Sequence, residues 1–132
     1  MPHPVTMQII ERFPEVARRL SKGDDELPYL VMNELASWLA SARRCEASPE
    51  VVRRLLSLNE WCIGQPSRTT AQDDAYTILV VGLYEKLMDN PDTHPLIPLL
   101  VPKEEFDESS EYYASWVSAE NLDLLRLRYS AH

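Results

Sequence analysis

The stretch DDAYTILVVGLYEKLMDNP, residues 73–91, constrains the fold more than any other part of the chain. It runs from Asp73 to Asp89 without a proline, which is longer than the roughly 3 to 10 residues of ordinary strands. Alanine and leucine recur at every fourth position, at Ala75, Leu79, Leu83 and Leu87. Pro91 then biases the residue before it toward extended backbone, which ends a helix. The pattern predicts a helix over residues 73–89.

Apolar side chains surround this predicted helix on nearly all sides. Val81, Tyr84 and Met88 fall on the face opposite Leu79 when residues are placed at roughly 100° intervals. A helix with this pattern is enclosed by neighbours, so we expect it to be the central helix of the domain. Thr70 lies three positions before Asp73 and predicts a capping box in which Asp replaces the usual Glu or Gln.

Proline and glycine divide the rest of the chain into further helices. The sequence has 10 Pro and 3 Gly, which argues against a β fold built on tight turns. Pro14 kinks the first helical segment or begins a second one that runs to Lys22. Ser48 is a predicted N-cap with Pro49 at the first helical position, and Gly64 closes that helix.

The remaining segments are also predicted to be helical. Residues 28–44 form one helix, and the region after Pro91 forms several short ones. Residues 122–129 contain an alternating pattern that fits either a helix or a strand, and we prefer a helix because a lone strand would have no partner. The sequence therefore predicts a single all-α domain over residues 1–132. We expect an irregular bundle or short solenoid-like stack of about six to eight helices around the buried central helix.

Cysteine usage and hydropathy predict a cytoplasmic protein. Cys45 and Cys62 form no C-x-x-C pair, so one disulfide is possible but two reduced thiols fit the spacing better. The first residues, MPHPVTMQIIERF, lack the basic and apolar regions of a secretory signal. No uncharged apolar run approaches the roughly 18 residues of a membrane span, and we expect no membrane association.

Negative charge is concentrated in the second half of the chain. Residues 1–66 carry 8 Lys or Arg and 9 Asp or Glu, whereas residues 67–132 carry 5 and 12. Between Thr69 and Asp123 the cations are Lys86 and Lys103. Such a surface repels nucleic acid and anionic lipid and attracts a basic protein partner. The alternative is an acidic solvated face that keeps the protein soluble.

Motifs of catalysis are missing from the sequence. It contains no G-x-S-x-G, no glycine-rich phosphate loop and no H-E-x-x-H, so we expect no enzyme activity, no cofactor and no metal. His3 and His132 lie at the ends of the chain. His94 lies in a proline-broken turn and is expected to pack there or on the surface.

Two polar residues lie on otherwise apolar helix faces. Asn59 sits within the apolar arc of its helix and is expected to make a structural hydrogen bond. Glu85 lies on a narrow polar edge of the central helix, which is expected to face water. If the carboxylate were buried it would need a cation, and the candidates are Arg18, Arg19, Arg43, Arg44, Arg53 and Arg54. Alternatively, Asn59 and Glu85 line a ligand pocket beside the central helix.

An acidic segment interleaved with aromatic residues is the predicted partner-binding surface. Its acidic members are Glu104, Glu105, Asp107, Glu108 and Glu111. Its aromatic members are Phe106, Tyr112, Tyr113 and Trp116. Aromatic anchors surrounded by charge are typical of interaction hot spots, and Tyr112 and Trp116 are predicted to bind the partner. Inward packing of the same aromatic residues is the alternative.

The segments LSLNEWCIG, DDAYTILVVGLYEKL and LIPLLVP give the chain a family resemblance over residues 13–100. Together they resemble short all-helical bacterial proteins of unassigned function, some of which are immunity partners of secreted toxins. The resemblance lies in the helix pattern, implies an all-helical fold and favours a binding role. It implies no functional residue. Two hypotheses follow: an immunity-type inhibitor that binds a basic protein, and a small-ligand or regulatory helical module.

Overall fold

The computed structural model describes residues 2–41 and 48–131, and every regular element in those ranges is helical. In chain order the α-helices are α1 (Pro4–Arg12), α2 (Pro14–Ala17), α3 (Pro28–Ala40), α4 (Pro49–Gly64), α5 (residues 75–88), α6 (Ile97–Leu100), α7 (Lys103–Glu108), α8 (Ser110–Ala114) and α9 (Ala119–Ser130). Two 3₁₀ turns, Asp24–Glu26 and Pro91–Leu96, connect them. The predicted all-α class is confirmed, and the arrangement is an irregular bundle.

Helix α5 is the buried centre of the bundle. Its core-facing side chains are inaccessible to solvent at Ile78, Leu79, Leu83, Leu87 and Met88. Helices α3 and α4, from the first half of the chain, pack against α5. Helix α9 packs against the C-terminal end of α5. The expected helical spine is therefore present, and burial of its leucines is the largest source of stability in such a core.

The start of α5 differs from the predicted capping box. Asp74 is the N-cap, and its Oδ2 accepts hydrogen bonds from the backbone N–H and the hydroxyl of Thr77, at 3.0 and 2.7 Å. Thr70 does bond Asp73, at 2.9 Å, but this contact lies in the preceding turn. The helix therefore begins at Ala75 instead of Asp73, because the carboxylate of Asp74 accepts a free N–H of the first turn.

The middle of α5, Val80–Tyr84, is a π-helical turn between the α-helical segments Ala75–Leu79 and Glu85–Met88. The N–H of Glu85 donates to the carbonyl of Val80, five residues back. Gly82 lies in this turn where α3 crosses, and a Cβ there would be 2.9 Å from Cβ of Met32. The absent side chain allows the two helix backbones to approach closely.

Local signals set the ends of the other helices. Pro14 begins α2 and Pro49 begins α4, where Oγ of Ser48 accepts the N–H of Val51 at 3.4 Å. Helix α4 includes Gly64 as its last residue, close to the predicted end. Helix α2 ends at Ala17, earlier than the predicted Lys22, because the chain turns there toward the 3₁₀ turn Asp24–Glu26. The predicted end of α3 at Arg44 lies outside the described residues.

The last three helices form a layer held by stacked aromatic rings. Phe106 of α7 stacks on Tyr129 of α9 with centroids 4.5 Å apart, and on Tyr113 of α8 at 6.1 Å. The hydroxyl of Tyr129 donates to the carbonyl of Val101 at 2.7 Å. Residues 122–129 are helical, so the preferred alternative for the tail is confirmed.

The two remaining expectations concern the membrane and the cysteines. Among the described helices, none has the length and apolar character needed to span a bilayer. Cys62 is buried with a free thiol, and burial raises its pKa to about 12. Cys45 lies outside the described residues.

Candidate functional site

The acidic segment places its charges and two of its four aromatic rings on the surface. Its exposed carboxylates are Glu104, Asp107, Glu108 and Glu111, and Glu105 is half-buried. Phe106 and Tyr113 point inward, 1% and 2% exposed. Tyr112 and Trp116 point outward, 43% and 63% exposed. Tyr112 and Trp116, the aromatic residues predicted to bind the partner, are therefore on the surface. Phe106 and Tyr113 pack inward, as the alternative had it.

One member of the segment already has an internal partner. The hydroxyl of Tyr76, on α5, donates to Oε1 of Glu105 at 2.7 Å. This bond fixes α7 against the central helix. Glu105 therefore has a structural contact that the four exposed carboxylates do not share in the described residues.

Glu85 is buried, which overturns the expectation that its edge faces water. It is 9% exposed, and the hydroxyl of Tyr112 donates to its Oε2 at 2.7 Å. No ion pair joins Glu85 to a cation within the described ranges. A phenol from α8 hydrogen-bonds the buried carboxylate, and none of the arginines considered as partners forms an ion pair with it among the described residues.

The arginines named as partners have other roles or lie elsewhere. Arg54 binds Glu15 through two nitrogens, at 3.0 and 3.2 Å, and Arg19 pairs with Glu34 at 3.2 Å. Arg43 and Arg44 lie outside the described residues. These ion pairs join α4 to α2 and the segment after α2 to α3, and neither includes Glu85.

The environment of Glu85 shifts two pKa values. Burial raises the pKa of Glu85, and the hydrogen bond from Tyr112 and the positive charge of Lys86 act in the opposite direction. Burial, followed by the bond to the carboxylate, raises the pKa of Tyr112 to about 12. Tyr112 is therefore protonated near neutral pH and remains a hydrogen-bond donor to Glu85.

Glu85, Tyr112 and Trp116 meet in one surface cavity of about 330 Å³. We call it the aromatic pocket. Its lining residues come from α3, from α5 and from the region of α8, and are Tyr29, Asn33, Val81, Glu85, Lys86, Asp89, Tyr112 and Trp116. The site thus joins a residue predicted for a ligand pocket with two predicted for partner binding.

Hydrogen bonds to neighbouring segments position the walls of the aromatic pocket. Tyr29 donates from its hydroxyl to the carbonyl of Ala71 at 2.6 Å. Asp89 accepts from the N–H of Ser118 at 3.2 Å, just beyond Trp116, and so ties the turn after α8 to the end of α5. The positions of these wall residues are therefore fixed by hydrogen bonds to other segments as well as by their own helices.

One polar atom in the wall has no partner. Oδ1 of Asn33 is buried and accepts no hydrogen bond from the described residues. An unsatisfied buried carbonyl costs on the order of 1–3 kcal/mol, and such atoms frequently mark places where a ligand or an ordered water binds.

Asn59 does not line the aromatic pocket. It is 7% exposed, and its Oδ1 accepts a hydrogen bond from the hydroxyl of Tyr84. This contact, between α4 and α5, is the structural hydrogen bond expected for a buried amide. Asn59 and Glu85 therefore have separate surroundings, and Glu85 alone belongs to the pocket.

The sequence predicts Glu85, Tyr112 and Trp116 as site residues but not the other five residues of the pocket wall, which are Tyr29, Asn33, Val81, Lys86 and Asp89. Tyr29 follows Pro28 at the start of α3 and gave no pattern of its own. A tyrosine in the first turn of a helix is the available signal, but nothing in the sequence links it to α8. In the parts of the chain that the structure describes, no group of three or more His, Cys, Asp or Glu could hold a metal ion.

The fold and the pocket define an all-helical protein with an acidic, aromatic surface site. No protein-family model, curated protein or solved structure matches the chain. The site must therefore be interpreted from its own chemistry.

Proposed function

We propose that the protein is a non-enzymatic, cytoplasmic binding protein whose acidic second half engages a basic protein partner, as an immunity-type inhibitor of a toxin would. The supporting observation is the surface position of Tyr112 and Trp116 beside a buried carboxylate. Tryptophan and tyrosine are the residues most enriched at interaction hot spots. The free thiol of Cys62 accords with a reducing compartment.

Charge and aromatic rings have different roles in this proposal. The exposed carboxylates at Glu104, Asp107, Glu108 and Glu111 raise the encounter rate with a cationic surface. Trp116 supplies exposed apolar area in the turn after α8, and its burial in the complex slows dissociation. The same surface disfavours nucleic acid, because its carboxylates repel phosphates.

Site-specific photo-crosslinking tests the proposal. A benzophenone amino acid replaces Trp116 in the organism that makes the protein, and the matched control replaces Met7 of α1, which is 52% exposed. We expect position 116, and not position 7, to capture one basic protein. Equal capture at both positions, or an acidic partner at position 116, would contradict the proposal.

The captured protein then allows the electrostatic part to be measured. Between about 0.05 and 0.5 M salt we expect the association rate to fall about tenfold or more, since exposed charges are screened within a few ångströms at the higher value. Glu104→Gln combined with Glu108→Gln should slow association and leave dissociation nearly unchanged. An association rate independent of salt would remove steering from the proposal.

A small-ligand or regulatory module is the second candidate, and the cavity beside Glu85 favours it. Its volume of about 330 Å³ lies at the small end of the roughly 300–1,000 Å³ of ligand pockets. Native mass spectrometry of the protein purified from its own host distinguishes the two. A bound small molecule that is lost in Trp116→Ala would support the ligand module.

A further inference from the structure

Three aromatic rings and one buried carboxylate converge on the aromatic pocket. Tyr29 reaches it from α3, while Tyr112 and Trp116 reach it from α8 and the turn that follows. Glu85 lies on α5 between them and is 9% exposed. Aromatic faces carry partial negative charge, so rings grouped around an anion create a site that is attractive to cations and not to neutral or anionic groups.

The carboxylate of Glu85 forms no ion pair with any cation in the part of the chain that the structure describes. Tyr112 is the hydrogen-bond donor to it in the described residues, and this donor contacts Oε2. A buried carboxylate with one neutral donor is incompletely compensated, and a cation that entered the pocket would stabilise it strongly. A ligand could therefore supply the positive charge that the carboxylate of Glu85 does not receive from the protein.

The other charged groups in the wall leave the pocket negative. Asp89 adds a second carboxylate, which accepts hydrogen bonds from Ser118 and from the side chain of Asn121. Lys86 is the single cation among the described lining residues and is exposed on α5. It makes no ion pair with Glu85, so its ammonium group is free to stay in solvent while another cation approaches the carboxylate.

We propose that the aromatic pocket binds the cationic head of one lysine or arginine side chain of the partner, with Tyr29, Tyr112 and Trp116 around it and Glu85 as its counter-charge. The inference rests on the proposed function and names the anchor residue of the partner. A cavity of about 330 Å³ suits a single long side chain better than a folded element. The apolar stem of such a side chain would pass beside Val81, and its head would reach Glu85.

Small cations that mimic these side chains test the pocket without the partner. The probes are n-butylammonium and n-butylguanidinium, and n-butanol is the neutral control of the same chain length. Binding is followed by the indole N–H signal of Trp116 in two-dimensional NMR, assigned by its loss in Trp116→Phe. The signal of Trp61, which is outside the pocket, serves as the internal reference.

We expect at least one of the two cations to shift the Trp116 signal in a saturable manner, and n-butanol to be at least fivefold weaker. Glu85→Gln should weaken cation binding fivefold or more, whereas Glu60→Gln, an exposed change on α4 outside the pocket, should leave it within twofold. The stronger of the two cations identifies the anchor as lysine or arginine. Equal binding of n-butanol, a lack of saturation, or an unaffected Glu85→Gln variant would overturn the inference.

The outcome can be separated from that of the crosslinking experiment. Capture of a basic protein at position 116 without saturable cation binding refutes the cation pocket and leaves the proposed function standing. Saturable cation binding without capture of a basic protein refutes the proposed function and leaves the cation pocket standing. A Glu85→Gln variant that fails to fold is replaced by Tyr112→Ala, which keeps the Trp116 signal and should weaken cation binding, since Tyr112 lines the pocket and is 43% exposed.

Discussion

The hydroxyl of Tyr112 donates a hydrogen bond of 2.7 Å to Oε2 of Glu85, which lies 27 positions earlier in the chain. The bond connects the short helix α8 to the central helix α5. It also puts a residue predicted for partner binding in direct contact with one predicted for a ligand pocket. Both hypotheses from the sequence therefore concern the same place on the molecule.

The first prediction concerns pH and Glu85. Its pKa is raised in the folded protein above the usual 4.5, so the folded state holds the proton more tightly than the unfolded chain. The free energy of unfolding therefore falls as pH rises from about 4.5 through the raised pKa of Glu85 in the folded protein, because ionisation is less favourable there. We expect Glu85→Gln to gain stability relative to the wild type over this interval, measured by urea denaturation from pH 4 to 7.

A difference in stability between Glu85→Gln and the wild type that stays flat over this pH range would contradict the prediction. It would mean that the carboxylate of Glu85 is as well solvated in the folded protein as in the unfolded chain.

The second prediction concerns the buried pair of Asn59 and Tyr84. Tyr84 is 1% exposed and donates its hydroxyl proton to Oδ1 of Asn59. Tyr84→Phe leaves that oxygen buried without its donor, which should cost about 1–3 kcal/mol of unfolding free energy. Replacing both partners, as Tyr84→Phe with Asn59→Leu, should recover at least half of the loss. A double variant as unstable as the sum of the single ones would show that the two side chains act independently.

The third prediction concerns Gly82. A Cβ at this position would lie 2.9 Å from Cβ of Met32, an atom that cannot move without its backbone. The clash outweighs the gain in helix propensity of about 1 kcal/mol, so Gly82→Ala should lose about 1–2 kcal/mol in urea denaturation. Gly64→Ala is the control, because nothing lies within 4 Å of its Cβ position, and it should be neutral or stabilising. A stable Gly82→Ala variant would mean that α3 and α5 are able to separate slightly.

The fourth prediction concerns the guanidinium of Arg54. It donates to both oxygens of Glu15 and, at 3.0 Å, to the carbonyl of Arg12, and its Cζ lies 4.9 Å from the ring centroid of Phe13. Lysine keeps the charge but loses the planar fork. Arg54→Lys should therefore cost about 1.5–3 kcal/mol, measured by thermal or urea unfolding. Arg53→Lys, at an exposed neighbouring position, should change stability by less than about 0.5 kcal/mol.

The fifth prediction concerns acid sensitivity and His94. The ring is 3% exposed, and its Nε2–H donates to the carbonyl of Met88 at 2.7 Å. Burial lowers the pKa of His94 below the usual 6.5, so the unfolded state takes up the proton first. The stability contributed by the neutral ring is complete above pH 6.5 and is lost as pH falls through the lowered value.

We therefore expect the wild type to lose more stability than His94→Gln between pH 7.5 and 5.5, by urea denaturation. Glutamine retains an N–H that can reach the carbonyl of Met88 but does not titrate. Equal losses in the two proteins would assign the acid sensitivity to other groups.

Helix positions were predictable from sequence because their signals are local. Ser48, Pro49 and Gly64 mark the ends of α4 within a few positions of chain, and four-residue spacing identified α5. The first errors appear where two local solutions compete. Asp73 and Asp74 are both good caps, and the choice between them depended on how the preceding turn folds.

The aromatic pocket was only partly predictable, because it is assembled by tertiary packing. Periodicity shows which face of a helix is buried but not which helix covers it. The sequence marks Glu85 as an unusual polar residue and favours a water-facing edge for it, with an arginine as partner if the carboxylate is buried. In the folded protein the partner is Tyr112 of α8, which lies 27 positions away in the chain and could not be paired with Glu85 from local patterns.

The stacking of Phe106 on Tyr129 has a consequence for how the acidic segment meets other molecules. Because Phe106 stacks on Tyr129, α7 is packed against α9. Its carboxylates therefore have fixed positions, unlike those of a disordered acidic tail. A tail must lose its conformational freedom on association, and that loss weakens the complex. Here the conformational entropy of α7 is already lost on folding, so its carboxylates are preorganised before the partner arrives.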